Sequence, residues 1–244
     1  MKVFLAGTFG EVKHTDILKD SPYLLESFYY VSPWQYNLLK SRDMFFLDSG
    51  AFTFFSADRQ VDWGKYIERY IAFINEHDVR YFFELDIDGI IGYDKVKEYR
   101  YRIEKQTNKQ CIPVWHKSRG IDEYKRLADE YSYIAIGGIV SREIKPKEYK
   151  FLPSLIKEAH RRDAKVHGMG FTNIKLFDRI RFDSVDSTRW NCARFGRLEY
   201  FDGKSIKTVD KRGQGVRLKT NETDITGFTL TEWIKFQKYA DTHL

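Results

Sequence analysis

Acidic side chains recur in this sequence directly after short apolar runs. Asp48, Ser49 and Gly50 close "MFFLDSG", Glu84, Asp86 and Asp88 close "YFFELDID", and His116 closes "CIPVWH". Asp183 and Asp186 lie in "FDSVDSTRW", with Arg189 and Trp190 following at once. Carboxylates drawn from three separate runs into a partly desolvated place have shifted proton affinities, which is the setting for acid and base chemistry. The arginine and tryptophan open a stretch, residues 189 to 219, with nine Lys or Arg against three acids, an excess equal to the whole chain's net charge of +6. Cations interleaved with Trp190, Phe195, Tyr200 and Phe201 suit contact with phosphates, sugars and bases, although a solvated basic hairpin has the same composition. Other readings stay open: Asp48 could form an Asx-turn with Gly50, and Glu84 and Asp88 could bind backbone N–H groups or a basic side chain. His167 reads as a core histidine, and His14, His77, His160 and His243 as surface residues.

Elements that would position these groups follow from the hydrophobic pattern. Runs at 3–7, 44–50, 80–86, 111–116, 133–138, 165–170 and 181–185 read as strands, with 24–31 undecided between strand and helix. Between them, Trp63, Tyr66, Ile67, Tyr70, Ile71 and Ile74 mark one stripe of a helix, and "YDKVKEYRYRIEKQ" and "IDEYKRLADEY" fill two further gaps. Continuously apolar strands alternating with helices imply a parallel sheet covered by helices, and the length fits an α/β chain folded as one (β/α)8 TIM-like barrel over residues 1–244. Within it, 190–219 is expected to be a basic β-hairpin insertion turning at Asp202-Gly203, and a final helix is expected to start near Thr229 or Thr231. Barrel sites form at the carboxyl ends of the strands, where the acids above fall.

Hydrophobic residues at 42% and charged residues at 31% exclude a disordered chain, and no apolar run reaches the ~20 residues of a membrane span. Cys111 and Cys192 are neither paired as C-x-x-C nor spaced with histidines as zinc ligands, and no i, i+4 pair of histidines supports a metal site, so no metal and no cofactor is expected. "MKVFLAGTFG" reads as a first strand rather than a signal peptide, and two thiols suit a reducing compartment, so a cytoplasmic location is expected.

At four places the residues carry a resemblance. "LDSGAF" resembles the Asp-Ser-Gly-Gly-Phe motif of the tRNA-guanine (queuine) transglycosylases, and "FDSVDSTR" resembles their Phe-Asp-x-Val-x-Pro-Thr-Arg motif. "IAIGGI" and "VHGMGF" are similar, in the same order, to the family's Gly-Gly-Leu and Met-Gly-Val-Gly elements. The resemblance covers about Leu47 to Gly196 and implies a base exchange. One aspartate attacks the anomeric carbon of a nucleotide and expels guanine, a second handles the proton, and a free 7-deazaguanine base then displaces the enzyme. It implies Asp183 as nucleophile, with Asp186 as the competing choice, and Asp48 as general acid/base. An anion suits the first role because it both stabilises and captures an oxocarbenium-like sugar. Asp86 would read the base edge, with His116 where the family has glutamine. Ser49, Gly137, Gly138, Ile139 and Gly170 would surround the base, with Met169 stacked beneath it. Arg189 would neutralise a phosphate, with Arg194, Arg197, Lys204, Lys207, Lys211 and Arg212 along the polymer. Trp190 either packs the loop or wedges beside an extruded nucleotide.

The chain departs from that family in lacking its cysteine-rich zinc site and in carrying Asp186-Ser187 where an apolar residue and proline stand. This is similar to the phage and bacterial DNA transglycosylases, so the expected polymer is DNA, in a host cytoplasm if phage-encoded, with tRNA as the alternative. A second copy of the chain or a partner enzyme is left open as a further partner. A catalytically silent barrel that binds nucleic acid for such a partner remains the competing class.

Overall fold

The computed structural model describes residues 1–7, 14–54, 61–210 and 222–244. Seven parallel strands form one curled sheet: β1 (Lys2–Ala6), β2 (Tyr23–Ser27), β3 (Met44–Asp48), β4 (Val114–Trp115), β5 (Tyr133–Ile136), β6 (Lys165–Gly168) and β7 (Ser184–Ser187), in the order β3-β2-β1-β7-β6-β5-β4. The run expected as a strand at 80–86 makes single parallel bridges, Phe82 to Leu47 beside β3 and Phe83 to Ile112 just before β4. The undecided segment at 24–31 is a strand through Ser27 and then turns.

Alternation along each strand sorts side chains to two faces. Phe4, Phe46, Phe83, Val114, Tyr133 and Ala135 pack together inside the curl. Val3, Leu5, Leu47, Phe82, Ile134, Ile136, Val166 and Val185 face the surrounding helices in a second, larger cluster. Eight helices are found among the described residues: α1 (Thr15–Leu18), α2 (Pro33–Leu39), α3 (Trp63–Glu76), α4 (Asp88–Ile91), α5 (Tyr93–Thr107), α6 (Gly120–Glu130), α7 (Leu152–His160) and α8 (Glu222–His243). Local chemistry fixes their ends. Ser32 caps α2 in a reciprocal box with Gln35, Asp62 accepts the Lys65 N–H at the start of α3, and Asn108 ends α5 in the left-handed region. The expected stripe of α3 is buried at Tyr66, Ile67, Tyr70, Ile71 and Ile74. None of the described helices is long and apolar enough to cross a membrane.

Three expectations change. The last helix starts at Glu222, several residues before Thr229 or Thr231, because those threonines are accommodated within it: Thr229 is buried and Thr231 Oγ1 donates to the Gly227 carbonyl. His14 is not a surface residue but is buried against α8, its Nε2 3.1 Å from the Thr223 carbonyl oxygen. The last strand of the sheet is Ser184–Ser187 rather than 181–185, so Asp183 precedes it and Asp186 lies within it. The expected hairpin is present as β8 (Arg197–Phe201) and β9 (Ile206–Asp210), antiparallel and turning at Asp202-Gly203. Of its expected cations, Lys211 and Arg212 lie outside the described residues.

Candidate active site at the carboxyl ends of the strands

In a parallel sheet every strand delivers its last residues to one rim. Asp48 ends β3 there, Asp86 follows the bridged segment, His116 follows β4, Gly137 and Gly138 follow β5, Met169 and Gly170 follow β6, and Asp186 is the third residue of β7. Alternation aims Asp48 inward, two residues beyond Phe46, and aims Asp186 inward, two residues beyond Ser184.

Asp48 is the most perturbed acid of this rim. Burial pushes its pKa up to about 7; hydrogen bonding from the Gly50 N–H opposes this, and the charges of Asp86 and Asp186 reinforce it. Its Oδ2 accepts from the Gly50 N–H at 3.0 Å, so the Asx-turn is present as well. Gly50 has φ +77, and an added Cβ would lie 2.7 Å from Tyr29 Cβ and 2.9 Å from the Tyr66 hydroxyl, so only glycine makes this turn. Ser49 is fully buried, and its Oγ has no hydrogen-bond partner among the described residues.

Asp186 is held from one side. Its Oδ1 accepts the Gly170 N–H at 2.6 Å and lies 3.2 Å from His167 Nε2, while Oδ2 takes no hydrogen bond from the described residues. The Gly170 backbone comes this close because that residue adopts φ +63, where a Cβ would lie 2.3 Å from Val140.

Asp183 is not part of this group. Its carbonyl accepts the Lys2 N–H at the start of β1, and its Oδ2 accepts the Val166 N–H at the start of β6 and pairs with His160 Nε2 at 2.8 Å. It therefore marks the amino ends of the strands, about 10 Å along the chain from Asp186 at ~3.3 Å per residue, and it points to the helix side. The reason is the strand boundary: with Ser184 as its first residue, inward positions are Ser184 and Asp186, and Asp183 is left to close the opposite end.

Asp86 and His116 form a pair. Nε2–H of His116 donates to Asp86 Oδ1 at 2.5 Å and Nδ1–H donates to Glu143 Oε2 at 2.8 Å, while Glu143 Oε1 accepts the Ser118 N–H at 2.7 Å. Burial works against a charged imidazole here, but Asp86 and then Glu143 outweigh it and hold the His116 pKa at about 9. The ring is thus an imidazolium at neutral pH. Asp86, Asp88 and His116 offer atoms within 4.8 Å of one another, the spacing of a cation site. Each of the three already has a partner within the protein: both ring nitrogens of His116 are engaged by carboxylates, and Asp88 accepts from Arg119 Nε at 2.7 Å. Gly137 and Gly138 make room for the pair, since a Cβ on either would lie 2.8 Å from the His116 ring or the Glu143 carboxylate. Ile139 is buried beside them and Met169 packs on the inner apolar cluster.

Behind this rim, Glu84 is fully buried between Arg119 Nη1 at 2.9 Å and Arg100 Nη1 at 3.2 Å and accepts the Val114 N–H, so it and Asp88 bind basic side chains and backbone rather than facing a ligand.

The basic segment divides. Arg189 does not stand free for a phosphate: Nε and Nη2 donate to Glu199 Oε1 at 3.1 and 2.5 Å, and Nη1 donates to the Thr172 carbonyl, which ties the hairpin to the loop after β6. Its guanidinium is consumed because Glu199, on β8, is buried and needs a cation. Trp190 packs the loop, buried with its indole N–H donated to the Ala6 carbonyl at 2.8 Å. Arg194, Arg197, Lys204 and Lys207 are exposed, Arg194 over the Phe195 ring at 4.7 Å and Lys207 3.3 Å from Asp202.

Two contributors escape sequence reasoning. Glu143 comes from the loop after β5, five residues beyond Gly138, with no motif to flag it. His167 reads as a core histidine and is one, yet its edge meets Asp186. A scan against protein-family models finds no match to this chain, and a search of curated proteins finds none either.

Proposed function

We propose that this chain is a base-exchange enzyme that replaces guanine in DNA by a 7-deazaguanine derivative through a covalent aspartyl-sugar intermediate. The observation carrying the reading is the pairing of two unlike acids at one rim: Asp48, neutral for part of the time near pH 7, within electrostatic reach of Asp186, which has one oxygen pinned and one unengaged by the described residues. A carboxyl group biased toward its neutral form beside a second carboxyl group with a free oxygen is what a double displacement at a sugar carbon needs. The motifs "LDSGAF" and "FDSVDSTR" point to the same chemistry, with the nucleophile moved to Asp186. We read the frame as a (β/α)8 barrel, with the bridged segment at Phe82 and Phe83 as the strand between β3 and β4 that completes the circle.

In this scheme Asp186 Oδ2 forms a bond to C1′ as the bond from C1′ to guanine N9 breaks, and the departing base takes the bonding pair and a proton from Asp48. A free 7-deazaguanine then gives its N9 proton to the Asp48 carboxylate, N9 bonds to C1′, and Asp186 leaves as the carboxylate. Inversion occurs twice, so the sugar keeps its configuration. Asp86 accepts from the N–H groups of the base, and His116, with one N–H on Asp86 and the other on Glu143, holds that carboxylate in place. Exposed Arg194, Arg197, Lys204 and Lys207 supply phosphate contacts.

The test offers the purified protein duplex DNA and tRNA separately, each with labelled guanine and with 7-cyano-7-deazaguanine. Label entering DNA is the expected result. Label entering tRNA alone makes tRNA the polymer, and label entering neither, with binding retained, leaves a silent nucleic-acid-binding protein.

A further inference from the structure

We propose that a buried chain of three side chains, Tyr133, Ser184 and His167, positions Asp186 as the nucleophile; this rests on the base-exchange reading above. His167 is fully buried inside the curl, with the rings of Phe83, Phe46 and Phe4 centred 5.3, 5.4 and 6.1 Å from its own. Its Nδ1 lies 2.6 Å from Ser184 Oγ, whose other neighbour is the Tyr133 hydroxyl, also at 2.6 Å, and its Nε2 lies 3.2 Å from Asp186 Oδ1.

The direction of donation follows from the two ends. Burial holds the Tyr133 phenol well above its ordinary range, so it stays neutral and keeps a proton to donate. A nucleophilic carboxylate at the other end only accepts. Tyr133 O–H therefore donates to Ser184, Ser184 O–H donates to His167 Nδ1, and Nε2–H donates to Asp186. Every donor finds an acceptor, and the imidazole is fixed as one neutral tautomer among apolar rings that would disfavour a second charge. Each bond polarises the next, so the last N–H is a stronger donor than an isolated imidazole would be.

Two fixed donors, His167 Nε2–H and the Gly170 N–H, then converge on Oδ1 of Asp186 and leave Oδ2 as the attacking atom. The chain of side chains does not touch the nucleotide; it sets which oxygen attacks and from where. Sequence spacing explains why these residues cooperate: Ser184 and Asp186 are inward neighbours on β7, and His167 pairs with Ser184 across the β6–β7 register.

The experiment combines a kinetic and a spectroscopic reading. For His167→Phe we expect kcat for base exchange to fall by about 10- to 100-fold with KM for the polymer unchanged, and His167→Gln, which restores an N–H at similar reach, to recover most of the loss. Ser184→Ala and Tyr133→Phe should each show a smaller fall, and thermal unfolding reports that each variant is folded; should His167→Phe not fold, the other three decide. Nitrogen-15 NMR of the imidazole should find the neutral Nε2–H tautomer at neutral pH without any exchange assay, so failure of the chain is separable from failure of the base exchange. A charged His167, an Nδ1–H tautomer, or His167→Phe exchanging at the wild-type rate overturns the proposal.

Discussion

Asp48→Asn is the most informative single change, because its effect on stability must depend on pH. Burial raises the Asp48 pKa from 3.8 to about 7, a preference for the neutral form of about 4 kcal/mol at 1.36 kcal/mol per unit. In the unfolded chain the carboxyl ionises near its ordinary value, so between pH ~4 and ~7 the unfolded state carries fewer protons than the folded one and stability falls as pH rises, by up to ~1.4 kcal/mol per unit. Above the folded pKa the cost levels off. Asparagine keeps the shape and has no charge to desolvate. The variant is therefore expected to gain little over wild type at about pH 4 and progressively more to about pH 8, with ~4 kcal/mol as the ceiling because the side chain is only partly covered and solvent relaxation reduces the penalty. Base exchange should be abolished throughout. Urea unfolding of both proteins at several pH values reads the difference directly. A stability gap independent of pH, or a variant less stable than wild type at about pH 8, would show that Asp48 is not a carboxyl strained toward neutrality, and the assignment of acid/base duty to it would fall.

Four further outcomes follow from the same geometry. Denaturing gels are expected to show a trapped protein–DNA adduct for wild type and Asp183→Asn but none for Asp186→Asn, with Asp183→Asn costing stability at the amino ends of β1 and β6. Glu143→Gln should lower the His116 pKa from about 9, read by NMR titration; since that pKa is raised above the ordinary 6.5, the stability this pair contributes is complete below ~6.5, is lost as pH rises through ~9, and shrinks in the variant. Glu84→Gln leaves Arg100 and Arg119 buried beside a neutral amide and should cost about 3–5 kcal/mol in chemical unfolding. Replacing Arg194, Arg197 and Lys204 by alanine should weaken DNA binding and reduce the slope of log affinity against log salt by about 0.9 for each phosphate no longer neutralised, with Arg189→Ala instead loosening the hairpin.

The rim itself is legible in the sequence. Apolar runs ending in Asp48, Asp86, His116, the Gly137-Gly138 pair and Met169-Gly170 mark carboxyl ends of parallel strands, and a parallel sheet has one such rim. The choice between Asp183 and Asp186 is not legible there. A period of two says that they face opposite ways but not which faces inward, and a one-residue change of strand boundary exchanges them. Arg189 misleads for a related reason: composition says that a cation is near a site, but its partner Glu199 is brought to it only by the fold, which also selects loop packing of the two readings open for Trp190.

What the amino-acid order determined by itself is the set of elements and the chemistry placed at their ends, because hydrophobic period, capping residues and glycine turns act over a few neighbours. What only the tertiary structure decided is which acids meet and in which protonation state. The neutral bias of Asp48, the imidazolium of His116 between Asp86 and Glu143, and the donors on Asp186 all arise from groups on different strands, and burial and electrostatic coupling depend on distance in space, which no local pattern encodes.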